Sequence, residues 1–396
     1  MGKDLKGKEL GVGISQRKDG VYQARYYDRW GKRKTIYGKK LRELRTQLAD
    51  AVSEDKKLQS VKENVTLDEW FDTWMTVYKE KSVRPNTKRE YVHIYKKNIS
   101  PNIGTREINS LVKSDIQRLV DIAYDDGYQY ERQNKIKVIL KDMLQRAVED
   151  HMVINNPVSG IKLRTDKQVN AKSLTIDEQE VFFEFCKNTF YENMFNVAVN
   201  TGLRPGELFA LTLDDIDLEN GYIDVNKTLV YQKYLDDDCK TFHIEPPKTK
   251  QSYRQVPMNS VCREYILRQI ELKMVVSRKR PKQQNDYLFV TKFNTPINSV
   301  IYSDAIRAVV RQINLMRPLD NQFNDFSGHT FRHTFATRCF ENGVDPKVVQ
   351  KYLGHASLKM TMDLYTHVTD DKAAEDIERI VPKETDNIVK FQKKIS

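Results

Sequence analysis

The hydrophobic and polar positions of this chain keep no single period. Residues 11–40 alternate with a period near two: Val12 and Ile14, then Val21 to Tyr27, then Arg33 to Tyr37, with breaks at Lys18-Asp19-Gly20 and Asp28-Arg29-Trp30-Gly31. Asp-Gly between alternating runs is a hairpin signal, so three short antiparallel strands are expected. Leu41, Leu44, Leu48 and Val52 then recur at helical spacing and predict a helix over about 40–57. Residues 58–65 read as a linker. Thr66-Leu67-Asp68-Glu69 has the capping-box pattern, and Leu67, Trp70, Phe71, Trp74, Met75 and Tyr78 follow on one apolar face. Further helices are expected near 86–98, 114–126 and 132–150, the last marked by Ile136, Ile139, Leu140, Met143, Leu144 and Ala147. Together these four make a helical bundle. Asn155-Asn156-Pro157 ends it, and the polar, basic stretch 160–173 reads as an interdomain linker. A second capping box, Thr175 to Glu178, opens the next region. There, strand-like segments lie near 221–232, 241–246 and 252–257, and helices near 260–276, 301–315, 329–341 and 346–353. The fold class that follows is multidomain α+β. Residues 1–62 form a small three-stranded β-sheet plus helix, residues 63–160 a four-helix bundle, and residues 171–381 a mainly α domain with a small antiparallel sheet; residues 382–396 are a tail.

Charge sharpens this picture. The chain of 396 residues carries a net charge of +11, which points to a polyanionic partner. Residues 1–62 hold 17 Lys+Arg against 8 Asp+Glu, so +9 of the +11 sits in the first module. Its predicted strands interleave Arg, Lys, Tyr and Trp, which suits a sheet lying in a DNA groove; a basic module for RNA or another polyanion reads the same way. The cysteines at 186, 239, 262 and 339 have neither metal-ligand spacing nor a pairing signature, as expected of a reduced cytoplasm. The start of the chain has no apolar signal segment, and no run of about 18 apolar residues predicts a membrane span. No Walker loop suggests nucleotide hydrolysis.

The candidate chemistry lies between Gly328 and Val368. His329 and Arg332 are three apart, so a helix brings them to one face. Gly343 and Pro346 start a second helix, Gly354 ends it, and His355 follows at once; Tyr365 comes ten residues later. Two imidazoles, an arginine and a tyrosine without a cysteine or acid cluster suit a phosphate. Arginine offers it a bidentate fork, histidine a hydrogen bond or a proton near neutral pH, and tyrosine a nucleophile once neighbours activate it. Upstream, Arg204 in Thr201-Gly-Leu-Arg-Pro-Gly-Glu-Leu208 falls at a helix start, where free N–H groups favour an anion. Lys248, between Pro246-Pro247 and the strand-like Tyr253 to Val256, is placed on or near a β-hairpin turn. Taken singly, each of these residues also fits a plain structural role.

The order Arg…Lys…His-x-x-Arg…His…Tyr, with the wording Thr-Gly-Leu-Arg-Pro-Gly-Glu, His-Thr-Phe-Arg-His-Thr and Leu-Gly-His, resembles the tyrosine recombinases, or phage-type integrases, across at least residues 171–380. The layout is most similar to integrases of conjugative transposons. By this resemblance Arg204 and Arg332 clamp the scissile phosphate, Lys248 is the general acid for the leaving 5′ oxygen, and His329 handles the nucleophile's proton or orients the phosphate. His355 then donates to a non-bridging oxygen, Tyr365 attacks, and Glu207 buttresses the first arginine. The resemblance also implies an arm-type DNA-binding module in residues 1–62 and a core-binding SAM-like domain in 63–160. Arg25, Lys32, Arg33 and Lys34 in the former, and Lys88, Arg89, Lys96, Lys135, Lys137 and Lys141 in the latter, are the candidate DNA contacts.

The expected activity is site-specific recombination of double-stranded DNA at core and arm sites, for excision and integration of a mobile element, through a 3′-phosphotyrosine. No cofactor and no metal are expected. The partners implied are a homo-tetramer on DNA and an excisionase or host DNA-bending protein, in a bacterial cytoplasm near the nucleoid. Competing readings are a DNA-binding regulator with an inert site, type IB topoisomerase-like strand relaxation, and a host chromosome-dimer resolvase, which lacks a module such as 1–62. A helix is expected near 371–380. Beyond Pro382, the apolar patch Asn387-Ile388-Val389-Lys390-Phe391 predicts a tail that docks on a neighbouring subunit, with docking on its own domain as the alternative.

Overall fold

A computed structural model describes residues 2–28, 32–59, 65–164, 173–362 and 364. The turn at 29–31, parts of both expected linkers, Tyr365, the expected helix near 371–380 and the tail lie outside the described residues. The chain divides into two compact units, residues 1–168 and 169–396.

In the first unit, β1 (Gly2–Lys3) and β2 (Glu9–Gly11) form a two-stranded ribbon that the hydrophobic pattern did not announce. The expected sheet follows as β3 (Ile14–Gln16), β4 (Tyr22–Tyr27) and β5 (Arg33–Gly38), antiparallel in the order β3-β4-β5. Gly20 takes φ +84 in the β3–β4 turn, a conformation glycine adopts at no steric cost. Helix α1 (Leu41–Gln59) closes the module over a small core of Leu10, Ile14, Ala24 and Leu44, and runs into the segment expected to be linker.

The bundle begins with α2 (Leu67–Thr73), whose Thr66–Glu69 capping box is formed in both directions, at 3.2 and 2.9 Å. A cap of this kind is worth about 1 kcal/mol. The helix continues through a π-helical stretch, Trp74–Lys79. Next come α3 (Pro85–Ile94), a second π-helical stretch Tyr95–Ile99, the short α4 (Ser100–Ile103), α5 (Lys113–Asp125) and α6 (Tyr130–Glu149). Trp70, Phe71, Trp74, Ile94, Ile116, Ile136, Leu140 and Leu144 fill the core. The expected linker from residue 160 proves packed at its start. Ile161 is buried and Leu163 lies against the bundle core, while Arg164 N donates to Gln133 Oε1 at 3.0 Å. The apolar side chains at 161 and 163, spaced as on a strand, hold this stretch down.

The second unit opens with α7 (Ile176–Cys186), capped by Thr175 and Glu178, then α8 (Glu192–Thr201) and α9 (Pro205–Ala210). Among the described residues of this unit there are two small sheets rather than one. Strands β6 (Ile216–Asp217), β7 (Tyr222–Val225) and β10 (Arg254–Pro257) pair in the order β10-β7-β6, and β8 (Thr228–Gln232) pairs separately with β9 (Thr241–Glu245). The stretch expected as one strand over 221–232 is therefore divided, at Asn226-Lys227, between two sheets. Lys227 turns inward there to an ion pair with buried Asp215 at 2.5 Å. Helices α10 (Ser260–Lys279), α11 (Ser299–Leu315), α12 (Gly328–Glu341) and α13 (Pro346–Leu353) complete the unit. Phe182, Phe195, Tyr302, Phe326 and Phe331 form an aromatic core under the start of α12. A side chain on Gly328 would strike the Tyr302 ring at 2.2 Å, so α12 can begin this close to α11 only with glycine there.

Candidate active site

Helix α8 ends at Gly202 with φ +62, and α13 ends at Gly354 with φ +61. The left-handed region suits glycine at a helix end. Space is short as well: a Cβ on Gly202 would lie 2.4 Å from the Phe335 ring. Such helix ends leave carbonyls without helical partners, and arginines take them here. Arg332, on the buried first turn of α12, donates from Nη1 to Gly202 O at 2.8 Å and from Nη2 to Leu353 O at 2.5 Å. Arg204, at the N-cap of α9, donates from Nη2 to Gly354 O at 3.2 Å and from Nη1 to Glu207 Oε1 at 2.7 Å. A guanidinium has five N–H donors, so both arginines keep donors for a ligand after these bonds. Arg204 is one-third exposed and offers its face to one.

Glu207 is 4% exposed and holds Arg204 through a side chain–side chain bond and a capping bond from Arg204 N at 2.9 Å. Burial works against its charge, and the arginines outweigh burial, so its carboxyl stays below the usual range. The larger share of that support comes from Arg254, a residue the sequence reading passed over. Arg254 sits on β10 with its side chain 2% exposed, and grips Glu207 from Nη1 and Nη2 at 3.1 and 2.8 Å. It also donates from Nε to Tyr352 O at 2.5 Å. The carbonyls of residues 352, 353 and 354 thus take Arg254, Arg332 and Arg204 in turn. The available signal was the strand alternation of β10, which puts Arg254 on the same buried face as Val256.

His355 follows Gly354 and is 7% exposed, its Nδ1 lying 2.9 Å from the hydroxyl of the fully buried Thr361. Burial first, then Arg332, Arg204 and Arg254, push its pKa down to about 3, so the ring is neutral at physiological pH. When Thr361 donates to Nδ1, the neutral ring carries its proton on Nε2 and can donate from there. His329 stands on the exposed side of α12. Protein nearby and the charges of Arg332 and Arg204 lower its pKa, in that order, which leaves a neutral ring able to accept a proton. Burial and Arg204 push Arg332 down to about 9, still charged at neutral pH.

Lys248 is exposed, in the bend after β9. This corrects the hairpin expectation: β10 pairs with β7 rather than β9, so Lys248 lies on the crossing between two sheets. The reason is Val256, which sits opposite Ile223 in the core and pulls β10 across. Three residues after Lys248 the chain returns to the site, where Gln251 O would lie 3.0 Å from a Cβ on Gly354. Leu364, immediately before Tyr365, packs on the cluster of Ala336, Phe340, Val349 and Leu353 between α12 and α13. Arg204, Glu207, His329, Arg332 and His355 are therefore gathered around the ends of α8 and α13, with Lys248 on an adjoining loop.

The candidate DNA contacts divide. Arg25, Lys32 and Arg33 are exposed on or beside the N-terminal sheet, and Lys34 is exposed beside Asp28 at 3.9 Å. In the bundle Lys96 and Lys141 are exposed. Lys88 is ion-paired with Glu80, Lys135 with Glu90, and Lys137 donates to Ile161 O at 3.1 Å. Arg89 is half-buried, and its Nε has no hydrogen-bond partner.

A cradle of arginines with neutral histidines beside it suits a phosphate. Residues 172–372 match the phage integrase family, residues 66–122 the SAM-like N-terminal domain of phage integrases, and residues 1–67 the DNA binding domain of Tn916 integrase. The transposases of Tn1545 from Streptococcus pneumoniae and of Tn916 from Enterococcus faecalis are 29% and 28% identical over 404 residues, covering 96% of each chain. The Tn1549 transposon integrase in complex with transposon right end DNA superposes with a TM-score of 0.67 at 24% identity, covering 80% of this chain and 99% of that one. The chain belongs to the phage integrase family and is a site-specific tyrosine recombinase of the conjugative-transposon type.

Proposed function

We propose that this recombinase excises and integrates a mobile element by transesterification, with Tyr365 as nucleophile. The phenol oxygen forms a bond to the scissile phosphorus, and the bond from phosphorus to the 5′ oxygen breaks. The products are a 3′-phosphotyrosine and a free 5′-hydroxyl. His329 takes the phenol proton, and Lys248 protonates the departing 5′ oxygen. Arg204, Arg332 and His355 Nε2 donate to the non-bridging oxygens as charge builds on the pentavalent phosphorus. Donors fixed before reaction are worth most there, about 10²–10³ in rate for a single one. Attack by the 5′-hydroxyl of a partner strand reverses the step, so the phosphodiester energy is kept and no nucleotide is hydrolysed. The observation that carries this reading is the seating of Arg204 and Arg332 on consecutive carbonyls, Gly354 O and Leu353 O, with His355 next in sequence.

Around this chemistry we assign residues 1–62 to arm sites and 63–160 to core sites. The working form is a tetramer on DNA in the bacterial cytoplasm, aided by an excisionase or a DNA-bending protein. Incubation with nicked suicide duplexes carrying the element's ends tests the reading. A covalent protein–DNA adduct on a denaturing gel is expected, and its absence at saturating DNA overturns it.

A further inference from the structure

Glu207 is a buried carboxylate offered two guanidinium groups, and they are not equivalent. Arg254 meets both carboxylate oxygens and spends its other recorded donors on Tyr352 O and Ser252 O. Its side chain is 2% exposed, and four of its five N–H donors are already taken by protein acceptors. Arg204 meets one oxygen through its guanidinium and stays one-third exposed. Remove Arg254, and among the described residues Arg204 is left as the cation hydrogen-bonded to a carboxylate that burial makes costly to leave unpaired.

We propose that Arg254 is a positioning residue that absorbs the charge of Glu207, leaving Arg204 and Arg332 with two uncompensated positive charges for the anion they hold. The assignment rests on reading that anion as the scissile phosphate. A phosphodiester carries one negative charge and the pentavalent species a second, so two free cations match the charge at the moment it peaks. The clustered groups sum accordingly: three arginines against one glutamate leave +2. Without Arg254 the sum is +1, and Arg204 is drawn toward Glu207 and away from the ligand.

The full-length protein tests this with Arg254→Met, Arg254→Lys, and Arg254→Met combined with Glu207→Gln, each assayed in single turnover on the nicked suicide duplex. Arg254→Met is expected to cleave roughly 10²-fold more slowly, the cost of losing one preorganised donor, while duplex affinity changes little. Neutralising Glu207 in the same protein is expected to recover at least about tenfold, because Arg204 is released. Arg254→Lys is expected to cleave faster than Arg254→Met. A purely mechanical clamp gives the opposite result, with the double variant no faster than the single. That result, or wild-type cleavage by Arg254→Met, overturns the assignment. Should Arg254→Met not fold, the double variant replaces a buried ion pair by a neutral pair, a change proteins often tolerate. Its cleavage must then lie within about tenfold of wild type.

A second readout needs no DNA. Among the charges acting on His329, Glu207 raises its pKa while Arg332 and Arg204 lower it. The His329 ring resonance should therefore titrate at higher pH in Arg254→Met than in wild type, and move back down in the double variant. An unchanged His329 titration in both overturns the assignment. If the wild-type protein makes no adduct, the recombinase reading falls, and the His329 titration still decides the charge assignment.

Discussion

Arg332 reaches from the first turn of α12 to the carbonyl of Leu353, 2.5 Å away and 21 residues further along the chain. This bond pins the end of α13 to the start of α12, and so fixes where His355 begins. The proposed phosphate clamp and the histidine beside it share this contact, and several expectations come from that arrangement.

Tyr365→Phe is expected to bind duplex with near wild-type affinity and form no adduct. The ring remains, and only the phenol oxygen, the proposed nucleophile, is removed. An adduct formed by this variant, seen on a denaturing gel, would move the nucleophile elsewhere, with Tyr352 the next residue to change.

Lys248→Ala should slow cleavage of an ordinary duplex by roughly 10²–10⁴, the usual worth of a positioned general acid. A duplex with sulfur at the 5′-bridging position should restore the rate, because thiolate leaves without a proton. Arg204→Ala and Arg332→Ala should not be rescued. Failure of the sulfur substrate to rescue Lys248→Ala would make Lys248 a binding residue.

His355 gives a stability signature. Its folded pKa is held down to about 3, whereas in an unfolded chain histidine titrates near about 6.5. Between these values the unfolded chain binds a proton that the folded chain does not. Stability is therefore intact above about pH 6.5 and falls as pH drops through the window. His355→Gln should show a flatter dependence of melting temperature on pH between about 4 and 6.5. Equal slopes for the two proteins would assign the dependence to other groups.

Deleting residues 1–62 is expected to abolish binding to arm sites while core-site cleavage continues. The salt dependence of core binding should change little, because counterion release follows the phosphates each module touches. Equal collapse of core binding would make the module part of the core clamp.

Excess EDTA should leave adduct formation intact. Inhibition that magnesium reverses would count directly against cation chemistry supplied by arginine and lysine alone.

Much of this was legible in the sequence where the signal is local. Gly343, Pro346 and Gly354 mark the ends of α12 and α13 because glycine and proline act on their own backbone, and the i, i+3 spacing of His329 and Arg332 needs only a helix. Thr66 and Thr175 announce their caps in the same way. What the sequence hid is non-local. The partner of β10 is decided by Val256 meeting Ile223 across the core, so the hairpin reading of Lys248 had no local cue to correct it. Arg254 looked like one more cation in a basic stretch, since only the three-dimensional position of Glu207 turns it inward. The pairing of Lys88 with Glu80 and Lys135 with Glu90 is likewise set by helix packing, and it gives two of the candidate phosphate contacts a protein partner.

The carbonyls that receive Arg254, Arg332 and Arg204 belong to the main chain of residues 352–354. A main-chain acceptor is present whatever side chain the residue bears. Tyr352 can therefore change without disturbing the receptor for Arg254, and Leu353 can change as far as its apolar packing allows. The glycine at 354 is different, because its left-handed backbone is what turns the last carbonyl. This part of the proposed phosphate clamp is written in the path of the backbone rather than in side-chain identity. Side chains at 352 and 353 can thus be exchanged and the same grip on the three arginines kept.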